Sequence, residues 1–324
     1  ICHMFMTRTS IAREVGGFRK PFDGAQDFDF IFRCTEKSRH VAHVPRVIYH
    51  WRCHVNSTAA VPESKMYAYH AGVKSINEHC QRAGIPMTGE LGTSYGYYRD
   101  VPVLDRKPSV DIIIHGDAAK AEQCIQCTKK LTYSNLSVMM CGGDAASVNR
   151  AVASAAADYV LLLDSRITSL SEDLVEQLMG YVQRKDVAMA AARTSNLEDK
   201  IYHAFLVMGI DKSFGYAFHQ LDKGNNGYFM RINAPQDVSG VDITCTLIRR
   251  ADYMAAGQLD ESMPAEYAAA DLCLKVAQLN DEGSRDSRAD EGEDAKTPQM
   301  WRDMHKIVYV PYAEAVINAS VEPE

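Results

Sequence analysis

The sequence lacks three features, each of which would assign it to a broad class of protein. No stretch reaches the roughly 20 consecutive apolar residues that a membrane-spanning helix needs. The chain does not open with the basic and then apolar segments of a secretory leader. Aspartate and glutamate outnumber lysine and arginine, 42 to 35, so the formal net charge is −7 and no basic surface for nucleic acid is expected. We therefore predict a cytoplasmic protein without a nucleic-acid partner and leave open a peripheral association with a membrane.

A disulfide framework is also lacking. The nine cysteines are scattered along 324 residues and are odd in number, unlike those of a small secreted domain, so reduced thiols are expected. Cys124 and Cys127 form a lone CxxC with no second pair at the spacing of a zinc site. Two cysteines three residues apart on an amphipathic helix are more often small core residues than metal or redox groups. We therefore interpret this pair as structural.

From Ser109 onward the sequence contains an alternation of strand and helix patterns. SVDIIIHGD, LSVMMC, YVLLLD, DVAMAAA and ITCTLIRR are short apolar runs typical of buried strands, and helical patterns separate the first four. Such alternation predicts a doubly wound α/β sheet, which binds ligands at the carboxyl ends of its strands. Asp117, Asp144 and Asp164 fall at such ends and are therefore candidate site residues.

The first 108 residues have a different pattern. Helices are predicted from Ser10 to Val15, where a glycine pair follows, over DFDFIFRCTEKS, and from Pro62 to Ala83. VAHVPRVIYHWR predicts an edge strand interrupted by Pro45. The segment from Gly84 to Pro108 is rich in Gly, Tyr and Pro without a clear period, which predicts a linker.

One order of features appears twice: a strand, an arginine, a short helix, a glycine, a loop, an acidic pair, a helix and a proline-containing strand. FMTRTSIAREVGGFRKPFDGAQDFDFIFR is one copy and LIRRADYMAAGQLDESMPAEYAAADLCLK is the other. The repeat predicts two copies of one type of domain, the first without its front half. Aligning the copies places Asp29 opposite Asp271, Asp27 opposite Ala269, and His50 opposite Ile317.

These segments resemble glycosyltransferase family 2, the inverting nucleotide-sugar enzymes of GT-A fold, over nearly all of the chain. In residues 1–60 the similarity is carried by EVGGFR, GAQDFDF and YHWRCHVNSTA. In residues 109–324 it is carried by DIIIHGD, VNRAVASAAADYVLLLDSR, IYHAFLVMGI, CTLIRR, GQLDE, ADLCLK and VPYAEA. The resemblance implies an α/β, Rossmann-like mixed sheet in a complete second domain at 109–324. It also implies a linker at 89–108 and the acceptor half of a first domain at 1–88.

The chemistry of this family implies a set of site residues. A divalent cation, Mg²⁺ or Mn²⁺, held by an Asp-x-Asp motif neutralises the diphosphate of the nucleotide-sugar donor. A carboxylate deprotonates the glycan acceptor, and a late histidine assists with the metal or the diphosphate. The resemblance assigns the base to Asp27 and the histidine to His50 in the first segment. In the second it assigns the metal to Asp164, and base or ribose recognition to Asp117 and Asp144.

These positions also have structural explanations. Asp27 could be a carboxylate at a helix start, and His50 could be a half-buried strand histidine. Asp117 and Asp144 could be turn or N-cap residues. Structural roles are favoured for Asp29, Asp271 and His203.

The second domain departs from the family at three positions. The second aspartate of the metal motif is Arg166, the expected base is Ala269, and the expected histidine is Ile317. The positive side chain of Arg166 would lie beside the divalent cation and repel it. Three explanations remain open for Asp164 and Arg166: loss of the ligand, direct binding of the diphosphate without a metal, or a plain ion pair. Because the second aspartate, the base and the histidine are all missing, we predict that catalysis by the second domain is impaired.

The resemblance therefore predicts a glycosyltransferase that uses nucleotide-sugar donors in surface polysaccharide or O-antigen synthesis. Its impaired second domain would bind or scaffold an active first domain, whose front half, ahead of Ile1 in a longer protein, is an expected partner. One alternative is a live, metal-independent transferase with another base, such as Glu266 or Asp271. Another is a non-catalytic interaction module. The charge-dense segment 279–297 predicts a solvated loop that fits relaxed constraint or partner binding.

Overall fold

The computed structural model describes residues 4–50, 66–104, 106–279 and 305–320. The chain divides into two compact units, which we call unit 1 (Ile1–Val103) and unit 2 (Leu104–Glu324). No helix in the described ranges is both long and apolar enough to cross a membrane. The segments 51–65 and 280–304, which contain part of the YHWRCHVNSTA motif and most of the acidic insert, lie outside the described residues.

Unit 1 contains short helices and a hairpin. The glycine pair after the first helix has left-handed backbone angles, with φ of 80° at Gly16 and 69° at Gly17, and so ends that helix as predicted. The second helix buries Ile31 and Cys34 on one face, in agreement with its predicted spacing. The elements are α1 (Thr9–Glu14), α2 (Gln26–Lys37), α3 (Met66–Ala83), β1 (Met87–Leu91) and β2 (Tyr98–Pro102).

Two sequence predictions in unit 1 are wrong. Residues 41–50 are all exposed and none is in a strand, although their alternation predicted one. Alternation shows which side chains could share a face, but a strand also needs a partner for its backbone hydrogen bonds. Residues 84–108, predicted to be a linker, contain the antiparallel β1–β2 hairpin. Its Gly89 lies so close to α3 that an added Cβ would come within 2.7 Å of Ile76 Cγ2, so the glycine lets the strand approach the helix.

Unit 2 is built on one mixed sheet with the strand order β11-β13-β7-β12-β5-β3-β4. β3 is parallel to β4 and β5, β7 is parallel to β13, and β12 is antiparallel to both β5 and β7. The central strands are apolar and buried on both faces, which is why they read as continuous hydrophobic runs. The strands of this sheet are β3 (Val110–His115), β4 (Leu136–Cys141), β5 (Tyr159–Asp164), β6 (Ile167–Leu170), β7 (Val187–Asn196), β8 (Ile201–His203), β11 (Gln236–Asp237), β12 (Cys245–Arg249) and β13 (Lys306–Ile317).

Helices and a small second hairpin complete unit 2. The α/β sheet predicted from the alternation is confirmed, as are its predicted strands in β3, β4, β5, β7 and β12, and the sheet is mixed, as the resemblance implied. The predicted helix from Leu170 to Arg184 is shorter than expected, because residues 167–170 pair with β13 as β6. The remaining elements are β9 (Leu206–Met208), β10 (Phe214–Tyr216), α4 (Ala121–Thr128), α5 (Ala145–Ser154), α6 (Leu174–Val182), α7 (Arg250–Ala255) and α8 (Ala265–Ala277).

The two units share one local order of elements. In unit 1, α1 is followed by the left-handed Gly16 and Gly17 and then by α2. In unit 2, α7 is followed by Gly257 and Gln258, with φ of 85° and 67°, and then by α8. A partial second copy of a whole domain stays a prediction from the sequence.

Candidate functional site

The functional candidates of unit 2 lie at one edge of its sheet. β3, β4, β5, β7 and β13 all run in the same direction, so their carboxyl ends meet at this edge, which we call the carboxyl edge. The register pairs His115 with both Cys141 and Asp164, so the loops that follow the three strands are neighbours. A Cβ at Gly143 would lie 3.2 Å from the Gly116 Cα, so two of these loops approach each other closely at glycine positions.

Asp117 and Asp144 both begin helical turns at the carboxyl edge. Asp117 Oδ1 accepts a hydrogen bond from the Ala119 backbone N–H at 2.9 Å. Asp144 is the N-cap of α5, where its carboxylate accepts from the Ser147 N–H at 2.9 Å and from the Ser147 Oγ at 2.7 Å. The Ser147 hydrogen bonds lower the pKa of Asp144. Both aspartates thus have the turn and capping role, and a contact with a nucleotide stays a prediction.

Asp164 is engaged by Arg166 through three hydrogen bonds. Its Oδ1 accepts from the Arg166 backbone N–H at 2.8 Å and from Nε at 3.0 Å, and its Oδ2 accepts from Nη2 at 2.8 Å. This is the bidentate geometry in which a guanidinium binds a carboxylate most strongly. Burial alone would raise the pKa of Asp164, but the hydrogen bonds from Arg166 outweigh it, so the pKa lies below its usual value. The hydrogen bond to Asp164 raises the pKa of Arg166.

This arrangement does not fit the divalent cation that the resemblance implies. Both oxygens of Asp164 already face a positive guanidinium, and Arg166 stands where a second carboxylate would be needed. A dication bound there would displace this pair and then repel the arginine. Within the described ranges, no group of three or more His, Cys, Asp or Glu side chains could hold a metal ion. The predicted metal role of Asp164 is therefore not supported by the geometry.

The other two altered positions are apolar and buried. Ile317 pairs with Ile167 across β13 and β6, and the Asn318 N–H donates to the Arg166 carbonyl at 2.9 Å. The alignment therefore placed the expected histidine at a position next to the altered metal motif. Ala269 lies in α8 between two other buried alanines. A side chain able to accept a proton is missing from both positions.

A half-buried acid–base pair at the same edge was not selected from the sequence. His203, assigned a structural role, ends β8 opposite Thr194 of β7, and its Nε2 lies 2.5 Å from Asp242 Oδ2. Asp242 also accepts from the Thr244 N–H at 2.9 Å and from its Oγ1 at 3.0 Å. Burial would raise the pKa of Asp242, but the adjacent His203 and the Thr244 hydrogen bonds lower it.

This pair is connected to the Asp164 motif. The Asp164 N–H donates to the Thr244 carbonyl at 2.9 Å, and Tyr202, next to His203 in the chain, contributes to the raised pKa of Arg166. Asp242 precedes an antiparallel strand, so the amino end of β12 brings it to the carboxyl edge. Asp242 was missed because the sequence candidates were residues that follow strands, whereas Asp242 precedes one. Its place in GVDITC, just before an apolar run, could have identified it.

The two candidates of unit 1 lie in different surroundings. Asp27 is half-buried in the first turn of α2, where its Oδ1 accepts from the Phe28 N–H at 2.9 Å. His50 is exposed and outside any strand, so the half-buried strand histidine considered from the sequence is not found. No described contact joins the two side chains, and their site roles stay predictions. Asp29 is fully buried between Arg19 and Arg33, in agreement with the structural role expected of it.

The CxxC pair lies in the core, as expected. Cys124 is fully buried in α4, and its burial raises its pKa to about 12. The Cys127 Sγ donates to the Thr168 carbonyl at 3.1 Å. Both thiols therefore act as small packing groups.

Comparisons with known proteins return glycosyltransferases and two longer curated relatives. The protein named uncharacterized protein y4gI of Sinorhizobium fredii (strain NBRC 101917 / NGR234) is 29% identical over 318 residues, which cover 85% of this chain and 34% of the relative. The O-antigen biosynthesis protein RfbC of Myxococcus xanthus is 22% identical over 316 residues, which cover 87% of this chain and 24% of that protein. The chain thus spans about a third or less of the length of these relatives. No family model matches the chain.

Two solved structures also align with it. The mannosyltransferase PcManGT from Pyrobaculum calidifontis, in complex with GDP-Man and Mn²⁺, aligns at 11% identity with a TM-score of 0.43, covering 68% of this chain and 59% of the enzyme. GalNAc-T7 with UDP, GalNAc and Mn²⁺ aligns at 9% identity with a TM-score of 0.43, covering 70% of this chain and 46% of that one.

Proposed function

We propose that this chain is part of a glycosyltransferase that uses nucleotide-sugar donors in the synthesis of a surface polysaccharide. Three findings support the proposal: the family motifs, the similarity to an O-antigen biosynthesis protein, and a mixed α/β sheet with polar residues gathered at its carboxyl edge. Ligands of such sheets bind at that edge.

Within this enzyme, unit 2 is a degenerate domain that does not use a divalent cation and does not transfer sugar by itself. The observation that carries this proposal is the engagement of both Asp164 oxygens by Arg166. The buried Ala269 and Ile317 add to it, because neither can accept a proton or bind a metal. Unit 2 then serves the enzyme by binding rather than by catalysis.

Turnover measurements test this directly. The chain is mixed with UDP-, GDP- and dTDP-sugars and Mn²⁺, and the release of free nucleotide is followed. We expect release no faster than in a sample without protein, since the cation and base positions are both lost. Turnover that disappears in Asp164→Ala but persists in Asp186→Ala would contradict the proposal. The second variant is a matched control, because Asp186 forms the same bidentate pair with Arg184 at the opposite, amino end of β7.

A second candidate is a nucleotide site that works without metal. It is favoured by the exposure of Arg166, whose side chain is 37% accessible despite its contact with Asp164, so that a diphosphate could reach the guanidinium. Calorimetry with GDP and UDP in the presence of EDTA measures this binding. Binding that is lost in Arg166→Ala and kept in Arg184→Ala supports the candidate, whereas heat changes equal to those of buffer remove it.

For unit 1 we propose that Asp27 and His50 belong to the working site of a first domain. The support is the family wording of GAQDFDF and the retention there of the acidic residue that Ala269 replaces in unit 2. In the longer protein, Asp27→Asn should abolish sugar transfer while Asp164→Asn leaves it largely intact. The reverse result would show that transfer depends on unit 2.

A further inference from the structure

Strand β4 forms one edge of the unit 2 sheet and is open on its outer side. It runs parallel to β3 from Leu136 to Cys141 without a register shift, and within the described ranges it pairs with no other strand. Two of its apolar side chains are exposed on one face, Val138 at 46% and Met140 at 38%. The edge therefore offers both apolar surface and a free side of the backbone.

The direction of the free backbone groups follows from the ladder with β3. The Val110 N–H donates to the Asn135 carbonyl, which sets Asn135 and every second residue after it towards β3. Leu136, Val138 and Met140 consequently direct their N–H and C=O groups away from the sheet. A strand placed alongside β4 would meet these groups in the positions of an ordinary ladder.

The two edges of this sheet differ in how they are protected. Native proteins block open edges with very short strands, charged side chains, prolines or bulges. At the opposite edge, β11 is two residues long and ends at Asp237, whose side chain is 63% exposed. β4 is six residues long, and LSVMMC contains no charged residue and no proline. An unprotected edge of this length is typical of a strand that has a partner.

A second copy of the chain fits this edge. A two-fold axis through Met139, perpendicular to the sheet, sets two β4 strands antiparallel and places Val138 opposite Met140 of the second copy. Both residues belong to the set whose backbone groups face outward, so they exchange the paired hydrogen bonds of an antiparallel ladder. Their apolar side chains lie on the same face and cover each other. Because the strand carries no charge, the contact of like with like brings no repulsion.

We propose that unit 2 pairs with a second copy of itself through β4, so that one continuous sheet crosses a two-fold axis. This inference goes beyond the proposed function and does not depend on it, because it rests on the side of the sheet and not on the carboxyl edge. The two β4 strands run in opposite directions, so the carboxyl edges of the two copies lie at opposite ends of the joined sheet. The pairing thus joins two molecules and covers neither candidate site.

Sedimentation of the whole chain over a series of concentrations tests the pairing. We expect the mass to rise from 36.0 kDa towards twice that value. Met140→Lys places a charge in the contact opposite Val138 and should weaken the association at least about tenfold. Met263→Lys is the matched control, because Met263 is 39% exposed, compared with 38% for Met140, and lies outside the sheet. This control should associate like the wild type.

Disulfide cross-linking tests the register. Met139 lies on the axis, where opposite residues have Cα atoms about 4.5 Å apart, so Met139→Cys should give a covalent dimer on a non-reducing gel. The two copies of Val138 are diagonal to each other at more than about 7 Å, so Val138→Cys should not cross-link. The wild type, treated in the same way, accounts for the native cysteines.

The outcomes are distinct from those of the proposed function. A mass of 36.0 kDa at every concentration overturns the pairing and leaves β4 to a strand from another part of the longer protein. Equal weakening by Met263→Lys, or cross-linking of Val138→Cys in place of Met139→Cys, also overturns it. Circular dichroism shows whether each variant folds, and Val138→Lys replaces Met140→Lys if the latter does not. Nucleotide release from the same samples reports on the proposed function alone.

Discussion

Replacing Arg166 with alanine should destabilise the folded chain by about 1 to 2 kcal/mol at pH 7. The change removes both guanidinium hydrogen bonds to Asp164 and leaves only the backbone N–H of residue 166 as a donor to that carboxylate. The full loss of a buried partner would cost more, but the Arg166 side chain is 37% exposed, so water screens the pair and replaces part of the interaction.

The loss should depend on pH in a defined direction. The pKa of Asp164 is lowered in the folded chain, so the pair stabilises the fold above the unfolded pKa of about 4, and this stability disappears as pH falls through the folded pKa. In Arg166→Ala, burial remains as the main influence on Asp164 and raises its pKa. The difference in unfolding free energy between the two proteins should therefore shrink steadily as pH falls from 7 towards 4.

Urea unfolding, followed by circular dichroism at pH 7, 5.5 and 4.5, measures this difference. Arg184→Ala is the control, because Arg184 and Asp186 form the same two-residue bidentate pair but Asp186 is 42% exposed. We expect a loss below about 1 kcal/mol for the control. Equal losses in the two variants, or a loss in Arg166→Ala that does not change with pH, would refute the assignment of Asp164 to a partly buried, arginine-dependent pair.

Three further predictions concern the metal motif, a buried ion cluster and a thiol. Arg166→Asp creates an Asp-x-Asp sequence, so Mn²⁺ should raise the melting temperature of this variant by a few degrees and leave that of the wild type unchanged. A cation at ten times its Kd stabilises the folded state by about 1.4 kcal/mol. If Mn²⁺ has no effect on the variant, the metal site is lost beyond this one residue. Asp29→Asn should lower the unfolding free energy by about 3 to 5 kcal/mol, because Arg19 and Arg33 are left facing a neutral group. The control Asp27→Asn should lower it by under about 1 kcal/mol. Urea unfolding measures both variants, and equal losses would contradict the buried role of Asp29. Burial raises the pKa of Cys124 to about 12, so this thiol should resist iodoacetamide at pH 8 in the folded chain and react once urea unfolds the chain. Mass spectrometry of the labelled peptides measures the reaction. Labelling of Cys124 in the native protein would contradict the burial of this thiol.

The central strands β3, β5 and β7 could be predicted because they are buried on both faces. VDIIIH and YVLLLD each contain three consecutive Ile or Leu residues, and such short apolar runs bounded by polar loops are typical of a central strand. The positions of Asp117, Asp144 and Asp164 followed from the same rule, since each lies at the carboxyl end of a strand or within three residues of it. The rule does not state which group each carboxylate binds; in the structure the partner lies two or three positions further along the chain in every case.

The errors in unit 1 have a different origin. The alternation in residues 41–50 has the period of a strand, but a strand requires a neighbour, and none of these residues pairs with one. The β1–β2 hairpin was missed for the opposite reason. Its strands are short and contain polar residues, and its position depends on contacts between Gly89 and α3 rather than on a hydrophobic pattern.

By itself the sequence determined the fold class, the candidate edge of the sheet and the three altered positions, because strand burial and residue identity are local properties. The tertiary structure decided how those positions relate. It placed Ile317 beside the Asp164 motif and joined His203 to Asp242 across 39 positions of the chain. Such pairings arise from the packing of strands that are distant in sequence, and no spacing of residues along the chain encodes them.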